Sequence, residues 1–278
     1  MKVVVTGASG FLGRSVIRRL SGMANTVVVG VSRKALPGIV QVNDYASTPS
    51  GDVLIHLAET AHRGVAERLG QSYEREAFEA LNALLKKHYR RVVYTSSAVL
   101  YGDRERTPRR PSEEVFAVDV YTRVKHRGER AVLESSGSVV ARLGNLFGPG
   151  MAEDSVISVI LGQIPGTGPV RVRDTKPVRD FVWVDDAAEA IAGMAIGGAD
   201  GIFNVGSGIG HSVGDVAELS LGIAGERARP IVATQPEPRI SHLVLDISDT
   251  VSTWAWSPAM RFEQGIGCLM TPVRHTNS

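Results

Sequence analysis

The fold of this chain is decided by the stretch Lys2-Val3-Val4-Val5-Thr6-Gly7-Ala8-Ser9-Gly10-Phe11-Leu12-Gly13. Its β-branched run predicts a strand, and the three evenly spaced glycines predict a tight turn into a helix. Gly7 permits the turn, Gly10 lets a ligand approach the main chain, and Gly13 lets the helix pack close to the strand. The helix points its first free N–H groups and the positive end of its dipole over the turn, so the stretch predicts a pyrophosphate site.

Apolar strands and amphipathic helices alternate after this turn as far as residue 150. A second apolar run at 26–31 follows at the distance typical of a βαβ unit. Further strands are predicted at 41–45, 52–58, 91–97 and 138–143, with helices at 65–87 and 119–134. The alternation predicts an α/β fold with a doubly wound parallel (Rossmann) sheet. The helix at 65–87 carries an apolar stripe that is predicted to face the core, at Leu69, Tyr73, Ala77, Leu81 and Leu84.

The pattern becomes less regular after residue 150. A charged, proline-punctuated loop at 103–111 is predicted to be solvated, and Asp185 or Asp186 is predicted to cap a helix that ends near Met194. Short strands are predicted at 170–172 and 179–184, and a strand at 201–205 returns to the sheet. We therefore divide the chain into a dinucleotide-binding domain at 1–150, with a returning strand near 181–205, and a smaller, interleaved substrate lobe in 151–278. Residues 274–278 are predicted to form a free tail.

Composition and charge are those of an ordinary globular chain. The 278 residues carry 31 basic and 29 acidic side chains, and this net charge of +2 gives no electrostatic attraction to nucleic acid or a membrane surface. No apolar run approaches the length of a transmembrane helix, and the first residues indicate a core strand instead of a signal peptide. The single cysteine, Cys268, cannot form an internal disulfide, and no Cys/His cluster has metal-ligand spacing. We expect a cytoplasmic protein without a bound metal, in which His56 is a core histidine.

The end of the second predicted strand bears on the choice of nicotinamide cofactor. An acidic side chain there accepts from a ribose 2′-hydroxyl, whereas an arginine pairs with a 2′-phosphate. This chain has Ser32 and Arg33 and no acid, which favours NADP and leaves NAD open. Asp44 is placed to accept from an adenine amino group, or it is an ordinary turn former. The predicted cofactor-binding residues are Gly7, Ser9, Gly10, Phe11, Leu12, Gly13, Ser32, Arg33, Asp44, Tyr45, Leu57, Ala58, Tyr121 and Lys125.

Tyr121 and Lys125 stand four residues apart on a predicted helix and therefore project from the same face. A nearby ammonium favours the phenolate, so Tyr121 can exchange a proton with a substrate oxygen while hydride moves at the adjoining carbon. Ser97 and Ser96 end the strand at 91–97 and supply hydroxyls for the same oxygen. The alternative for the Tyr/Lys pair is a chance surface pair. Serine hydrolase chemistry is disfavoured because neither serine lies in a Gly-x-Ser-x-Gly elbow.

Together these motifs resemble the extended short-chain dehydrogenase/reductases, in particular the branch of nucleotide-sugar epimerases, dehydratases and 4-ketoreductases. The resemblance covers nearly the whole chain. It rests on TGASGFLG at 6–13, TSSAVLYG at 95–102, Tyr121 with Lys125, RLGNLFGPG at 142–150, VRDFVWVDD at 178–186 and FNVGS at 203–207.

The resemblance implies a nicotinamide cofactor on the N-terminal sheet and a nucleotide diphosphate sugar under the C-terminal lobe. By position it makes Ser97 the catalytic hydroxyl, which also contacts the substrate, Tyr121 the acid/base and Lys125 its partner. It also implies a homodimer through the helices near 65–87 and 119–136.

Further along the chain, the resemblance implies three substrate-binding residues. Asn145 and Arg179 match positions that contact the sugar nucleotide in the family, and Arg239 takes a similar part. The alternative for Arg179 is a salt bridge with Asp180 or Asp174.

Several positions depart from the family pattern: Glu59 stands where a small residue is common, Ser72 where asparagine is frequent, residues 117–120 lack the usual proline, and Arg123-Val124 replaces a small-residue/serine pair. The acid pair expected of a dehydratase after Ser97 is replaced by Ala98-Val99, which disfavours dehydration. The resemblance thus implies an NAD(P)-dependent oxidoreductase acting at C4 of a nucleotide sugar, with a 4-ketoreductase favoured and a 4-epimerase next. The alternative is a catalytically silent NADP(H)-binding sensor of the same fold, which the retained Ser97, Tyr121 and Lys125 disfavour.

Overall fold

Residues 1–271 are described by the structure, a computed structural model, and the tail predicted at 274–278 lies outside them. Short 3-10 helices occur at Tyr45–Ser47 and Ala98–Tyr101. The strands and longer helices are, in order, β1 (Lys2–Thr6), α1 (Phe11–Ser21), β2 (Val27–Ser32), β3 (Val40–Gln41), β4 (Val53–His56), α2 (Arg63–Leu85), β5 (Arg91–Ser97), α3 (Val120–Leu133), β6 (Ser138–Leu143), β7 (Asn145–Phe147), α4 (Val156–Leu161), β8 (Val170–Val172), β9 (Val178–Trp183), α5 (Val184–Ile196), β10 (Gly201–Val205), β11 (Gly210–Ser212), α6 (Val213–Ile223), β12 (Ile231–Ala233), β13 (His242–Leu243), α7 (Ser248–Trp254) and α8 (Phe262–Met270).

The central sheet contains seven parallel strands in the order β10-β6-β5-β4-β1-β2-β3. In register, Val4 of β1 lies between Val29 of β2 and Leu54 of β4. The chain winds outward from β1 to β3, and then from β4 in the opposite direction, so the order reverses between β1 and β4. Such sheets bind ligands at that point, in the crevice at the carboxyl ends of the strands. The predicted doubly wound Rossmann fold is confirmed.

Alternate residues of these strands face opposite layers of helices. Val3 and Val5 pack in one buried cluster with side chains of α1 and α5, while Val4 and Leu54 pack in another with side chains of α2 and α3. Successive side chains of a strand point to opposite faces, and here both faces are covered. This burial on both faces explains why β1 and β4 are continuous apolar runs and not alternating ones.

A smaller group of strands and helices follows β6. Its central strand, β9, pairs in parallel with β7 and β13 and antiparallel with β11, and β8 pairs in parallel with β12. Four aromatic side chains pack in its core, at Phe147, Phe181, Trp183 and Phe262. β10 then pairs with β6 at the edge of the central sheet, where the strand at 201–205 was predicted to return. The smaller group therefore interleaves with the sheet.

Helix α2 differs from the predicted helix in one respect. At Gly70 the backbone has φ of 62° and ψ of −145°, so the helix is kinked there. Beyond the kink Leu81 and Leu84 are buried, but Leu69, before it, is 52% exposed. The prediction that Leu69 packs in the core is wrong, because a helical stripe stays on one face only while the helix is continuous.

Two shorter predictions also differ from the structure. The strand predicted at 41–45 is limited to Val40–Gln41, because the Asp44 carboxylate accepts from the N–H of Ala46 and starts a 3-10 turn. Helix α5 begins at Val184, so Asp185 and Asp186 lie in its first turn and do not cap it. Over residues 1–271, no helix combines the length and the hydropathy needed to cross a bilayer.

Candidate active site

The glycine turn lies where the strand order of the central sheet reverses. Gly7 has φ of +71°, and a Cβ at this position would lie 2.5 Å from the carbonyl oxygen of Leu57, just after β4. A Cβ at Gly13 would lie 2.2 Å from the carbonyl oxygen of Gly7. The turn is therefore too crowded for a side chain at either position, and α1 packs directly on it.

The start of α1 faces this crevice without a side-chain cap. Gly10 is the N-cap residue, and among residues 1–271 no side chain accepts from the first-turn N–H groups there. Ser9 and Phe11 flank it on the turn, and Leu57 and Ala58 follow β4 on the other side of the crevice. Backbone without a Cβ, free N–H groups and the positive end of the helix dipole suit an anion. These residues fit the pyrophosphate of a dinucleotide cofactor.

The residues predicted to select the cofactor meet at the end of β2. The Ser32 hydroxyl is buried, lies 2.7 Å from the Ser9 hydroxyl and accepts from the N–H of Lys34 at 2.9 Å. Arg33 is exposed, and its guanidinium carbon lies 5.7 Å from the centre of the Tyr45 ring. The fold therefore brings together Ser9, Ser32, Arg33 and Tyr45. The Asp44 carboxylate caps the 3-10 turn that begins at Tyr45.

Tyr121 and Lys125 lie on the inner face of α3. Asp119 starts this helix, because its carboxylate accepts from the Thr122 N–H while the Thr122 hydroxyl accepts from the Asp119 N–H. Tyr121 is 7% exposed and Lys125 6% exposed, so they are not the surface pair considered as the alternative. The Lys125 Nζ lies 5.9 Å from the centre of the Tyr121 ring. Helix periodicity thus places the phenol and the ammonium in one buried region.

The Lys125 ammonium is held between the end of β5 and a buried carboxylate. Its Nζ donates to the carbonyl oxygen of Thr95 at 2.8 Å and lies 2.8 Å from Oε2 of Glu59. Burial by itself lowers the pKa of Lys125, but the Glu59 carboxylate, together with Tyr121 and Tyr73, outweighs burial, and the pKa lies above its ordinary value. Lys125 therefore stays charged throughout the physiological pH range.

Ser97 is the last residue of β5, two positions beyond the carbonyl group that Lys125 contacts. Its hydroxyl oxygen accepts from the N–H of Val99 at 3.3 Å and caps the 3-10 helix Ala98–Tyr101. This bond uses a lone pair, so the hydroxyl proton is free for another acceptor. The Ser96 hydroxyl is buried and has no hydrogen-bond partner within residues 1–271.

In the C-terminal part of the chain, Arg179 and Arg239 converge on Asp103. Arg179, on β9, lies 3.2 Å from Oδ2 of Asp103, and Arg239 lies 2.9 Å from Oδ1. Arg239 also contacts Glu237 at 3.2 Å. Burial opposes ionisation of Asp103, but hydrogen bonds from Ser241 and Arg239 and the charges of Arg179 and Arg239 together outweigh burial and hold its pKa below the ordinary value. The two arginines therefore share an ionised carboxylate.

A groove of about 380 Å³ opens beside these arginines. Arg179, Arg239 and Ser241 line its polar side, and Val156 and Val159 of α4 line its apolar side. Asn145, the third predicted substrate residue, begins β7 in register with Phe181 of β9. Asn145 therefore lies on the strand next to the one that carries Arg179.

One alternative and one prediction about charged residues near the groove are wrong. Arg179 pairs with Asp103 and not with Asp180 or Asp174, because Asp180 is engaged by the hydroxyl and N–H of Ser207. The loop at 103–111 is also not simply solvated. Asp103 ties it to the arginines, and Arg109 is only 6% exposed.

His56 is the core histidine that the sequence predicts. It is buried in β4, and its Nδ1 lies 2.8 Å from the Thr6 hydroxyl. Burial lowers the pKa of His56 to about 4, which outweighs the opposite effect of Glu59. His56 is therefore neutral near neutral pH.

A doubly wound sheet with this glycine turn and a buried tyrosine–lysine pair beside β5 defines a short-chain dehydrogenase/reductase of the extended type. The sequence model of the NAD dependent epimerase/dehydratase family matches residues 3–206, and the chain belongs to this family. The motif resemblance found in the sequence is therefore confirmed.

Known proteins similar to this chain include both epimerases and reductases. The dTDP-L-rhamnose 4-epimerase of Burkholderia thailandensis is 22% identical, over 97% of this chain and 94% of that protein. The dTDP-4-keto-6-deoxy-D-glucose reductase of Streptomyces niveus is 28% identical, over 98% and 92%. The solved structure of RMD from Pseudomonas aeruginosa complexed with NADPH has a TM-score of 0.84 and 21% identity, over 97% of each chain. Family members thus use a nicotinamide cofactor on nucleotide sugars.

Two charged residues of the site were not recognised as such from the sequence. Glu59 stands out there only as a departure from a small residue, and Asp103 only as part of a charged loop. The acid at position 59 follows directly on a buried strand, and this was the one available signal. No signal pointed to Asp103, because its partners lie on β9 and near β13.

Proposed function

We propose that this chain is an NAD(P)-dependent reductase of the C4 ketone of a nucleotide diphosphate sugar, with Tyr121 as the proton donor. The observation that carries the proposal is the burial of Tyr121 and Lys125 side by side on α3. Burying an ammonium is costly, so a buried lysine needs a partner or a task. Here it lies beside a phenol at the carboxyl edge of the sheet, where α/β folds bind their ligands.

The cofactor would bind across the glycine turn. The backbone at Gly10 and the first N–H groups of α1, at Phe11 and Leu12, would hold its pyrophosphate. Asp44 would accept from the adenine amino group, and Ala58 would line the crevice. When bound, the cofactor supplies the hydride.

The chain's own residues would manage the proton. Tyr121 would give its phenolic proton to the C4 oxygen as that oxygen gains negative charge, so that the ketone becomes an alcohol. The Lys125 ammonium would stabilise the phenolate that remains, and the Ser97 hydroxyl would donate to the same substrate oxygen. Each group is buried at the end of β5 or on the face of α3 beside it.

The groove beside Arg179 and Arg239 would hold the nucleotide diphosphate. A guanidinium presents a planar fork of donors that suits phosphate oxygens, and two of them converge here. Asn145, on the adjoining strand, would donate to the sugar or to the pyrophosphate.

A preference for NADP over NAD is part of the proposal. Ser32 ends β2 and Arg33 follows it, at the place where an acid would favour NAD, and the exposed Arg33 guanidinium is placed to pair with a 2′-phosphate. The contact between Arg33 and the Tyr45 ring would keep the guanidinium near the adenine end of the cofactor.

A 4-epimerase is the second candidate, because one of the full-length relatives is a 4-epimerase. In that reaction Tyr121 would first accept a proton and later return it. The deciding experiment is a panel of UDP-, dTDP- and GDP-linked sugars, each assayed as the 4-keto sugar with NADPH or NADH and as the 4-hydroxy sugar with NADP⁺ or NAD⁺. A reductase oxidises the cofactor in proportion to the ketone consumed, whereas an epimerase interconverts two sugars without net change in the cofactor. No turnover on any member of the panel would contradict both candidates.

Replacing Tyr121 with Phe separates an enzyme from a silent NADP(H)-binding sensor. An enzyme should lose turnover by about 10²- to 10⁴-fold, because the proton donor is removed, and should keep its affinity for the cofactor. Tyr89→Phe is the matched control, because the Tyr89 hydroxyl donates to the Pro49 carbonyl far from the turn. Unchanged turnover in Tyr121→Phe would contradict the proposed role.

The homodimer expected through α2 and α3 stays a prediction. An open groove of about 420 Å³ lies between these helices and is lined by Glu74, Phe78, Asn82, Arg123, Arg127 and Arg130, among others. Sedimentation velocity measures the oligomeric state directly.

A further inference from the structure

A buried carboxylate lies behind the proposed catalytic lysine. The Glu59 side chain is 4% exposed, and its Oε2 lies 2.8 Å from the Lys125 Nζ. The Tyr94 hydroxyl donates to the same carboxylate, at 2.9 Å from Oε1 and 2.8 Å from Oε2. The carboxylate is therefore held by both an ammonium and a phenol.

The packing around Tyr94 is built to keep this carboxylate in place. A Cβ at Gly128, on α3, would lie 2.2 Å from the Tyr94 hydroxyl oxygen. A glycine one turn beyond Lys125 thus leaves the space that the Tyr94 hydroxyl needs in order to reach Glu59. The His56 ring also stacks on the Tyr94 ring, with 6.0 Å between the two ring centres.

The other titratable groups around the pair are neutral or have partners of their own. Burial lowers the pKa of His56 to about 4 and raises the pKa of Tyr73 to about 12, and burial also raises the pKa of Tyr94. Four charged groups of α2 and α3 near the pair have partners of their own: Glu67 accepts from the Val120 N–H, Arg63 pairs with Asp119, Glu74 with Arg123 and Glu129 with Arg142. Arg127 lines the same cavity as Glu59, and its guanidinium lies over the Phe78 ring. Glu59 and Lys125 are therefore the ion pair in direct contact with each other behind Tyr121, and Glu67, held by a neutral N–H, is a further carboxylate near it.

We propose that Glu59 is a positioning residue that fixes Lys125 and offsets its charge, so that the Tyr121 phenol stays protonated to higher pH than Lys125 alone would allow. A lone ammonium favours the phenolate, but an opposite charge in contact with it turns the pair into a dipole with a weaker field. A phenol that keeps its proton is the donor that ketone reduction needs. Glu59 thus favours reduction over epimerisation, which begins with proton abstraction by Tyr121. This inference rests on the proposed function in one respect, that Tyr121 is the residue that transfers the proton.

The test is an ultraviolet titration of Tyr121 that needs no substrate. The absorbance change of phenolate formation is recorded in Tyr121→Phe and in the unmodified chain, and their difference belongs to Tyr121. The same difference is taken in the Glu59→Gln background, where an isosteric amide keeps the hydrogen bonds and removes the charge. The phenolate step, meaning the pH at which half of Tyr121 is ionised, should fall by about one pH unit. It should stay close to the unmodified value in Glu59→Asp, which keeps the charge, and in Glu74→Gln, which breaks the ion pair between Glu74 of α2 and Arg123 of α3.

The titration also separates the two proposals. An unchanged step in a folded Glu59→Gln protein overturns the role of Glu59. If Glu59→Gln does not fold, the double variant Glu59→Gln/Lys125→Met, which removes both charges, is titrated instead. The phenolate step should then match that of the unmodified chain, and a rise of more than one pH unit contradicts the offset. A shifted titration together with no turnover on any sugar overturns the reductase and leaves Glu59 as proposed.

Discussion

The guanidinium of Arg179 lies 3.2 Å from the carboxylate of Asp103, although 76 positions separate the two residues in the chain. The same carboxylate contacts Arg239 and accepts from the Ser241 hydroxyl at 2.6 Å. An anionic side chain therefore lies where the proposed function requires the phosphates of the substrate to bind.

Replacing Asp103 with Asn should raise the affinity for nucleotide diphosphates. The amide keeps the shape of the side chain but leaves Arg179 without a carboxylate, so a phosphate no longer competes with one. We expect an increase of about tenfold at low salt, which shrinks as salt is added. Calorimetric titration with UDP and dTDP measures it. Asp246→Asn, at the Arg110 pair outside the groove, is the control, and weaker binding by Asp103→Asn would show that the carboxylate positions the arginines instead.

Replacing Arg33 with Ala should weaken NADPH binding by about 10- to 100-fold and leave NADH binding unchanged. A charge-assisted contact to a 2′-phosphate is worth about 1.5–3 kcal/mol, and NADH has no phosphate at that position. Fluorescence titration with each cofactor measures both affinities, and Lys34→Ala controls for general loss of positive charge. Equal losses for NADPH and NADH would contradict the proposed preference.

Gly13→Ala should destabilise the fold more than Gly10→Ala. A Cβ at Gly13 would lie 2.2 Å from the Gly7 carbonyl oxygen, whereas a Cβ at Gly10 would lie 3.1 Å from the same atom. We expect Gly13→Ala to cost about 1–3 kcal/mol of unfolding free energy through overpacking. Gly10→Ala should keep most of its stability and lose cofactor affinity, because its methyl group would fill the space where the cofactor pyrophosphate contacts the backbone. Urea unfolding and cofactor titration together separate the two effects, and equal unfolding midpoints for the two variants would contradict the packing argument.

Stability should fall as the pH drops from about 6.5 to about 4, in part because of His56. Burial holds the native pKa of His56 at about 4, while the unfolded chain keeps the ordinary value of 6.5. Between these values the unfolded state binds a proton that the native state does not, so the unfolding free energy decreases by about 1.4 kcal/mol for each pH unit of acidification. His56→Gln should remove this contribution. Urea unfolding across the window tests it, and parallel pH curves for the two proteins would contradict the assignment.

The parts of the fold that the sequence predicted well depend on local pattern. The bounds of β5, β6 and β8 agree with the predicted strands, and Asp119 caps α3 as expected. Where a local rule was interrupted, the prediction was wrong. The kink at Gly70 exposes Leu69, and a side-chain bond from Asp44 ends the third strand early.

The sequence by itself determined the parallel sheet, the glycine turn and the shared helix face of Tyr121 and Lys125, because strand and helix periodicity and glycine sterics act between residues a few positions apart. The tertiary structure alone decided that Glu59 contacts Lys125 and that Asp103 contacts Arg179. Coulomb energy and desolvation depend on distance and burial in three dimensions, and neither can be known before distant segments pack together.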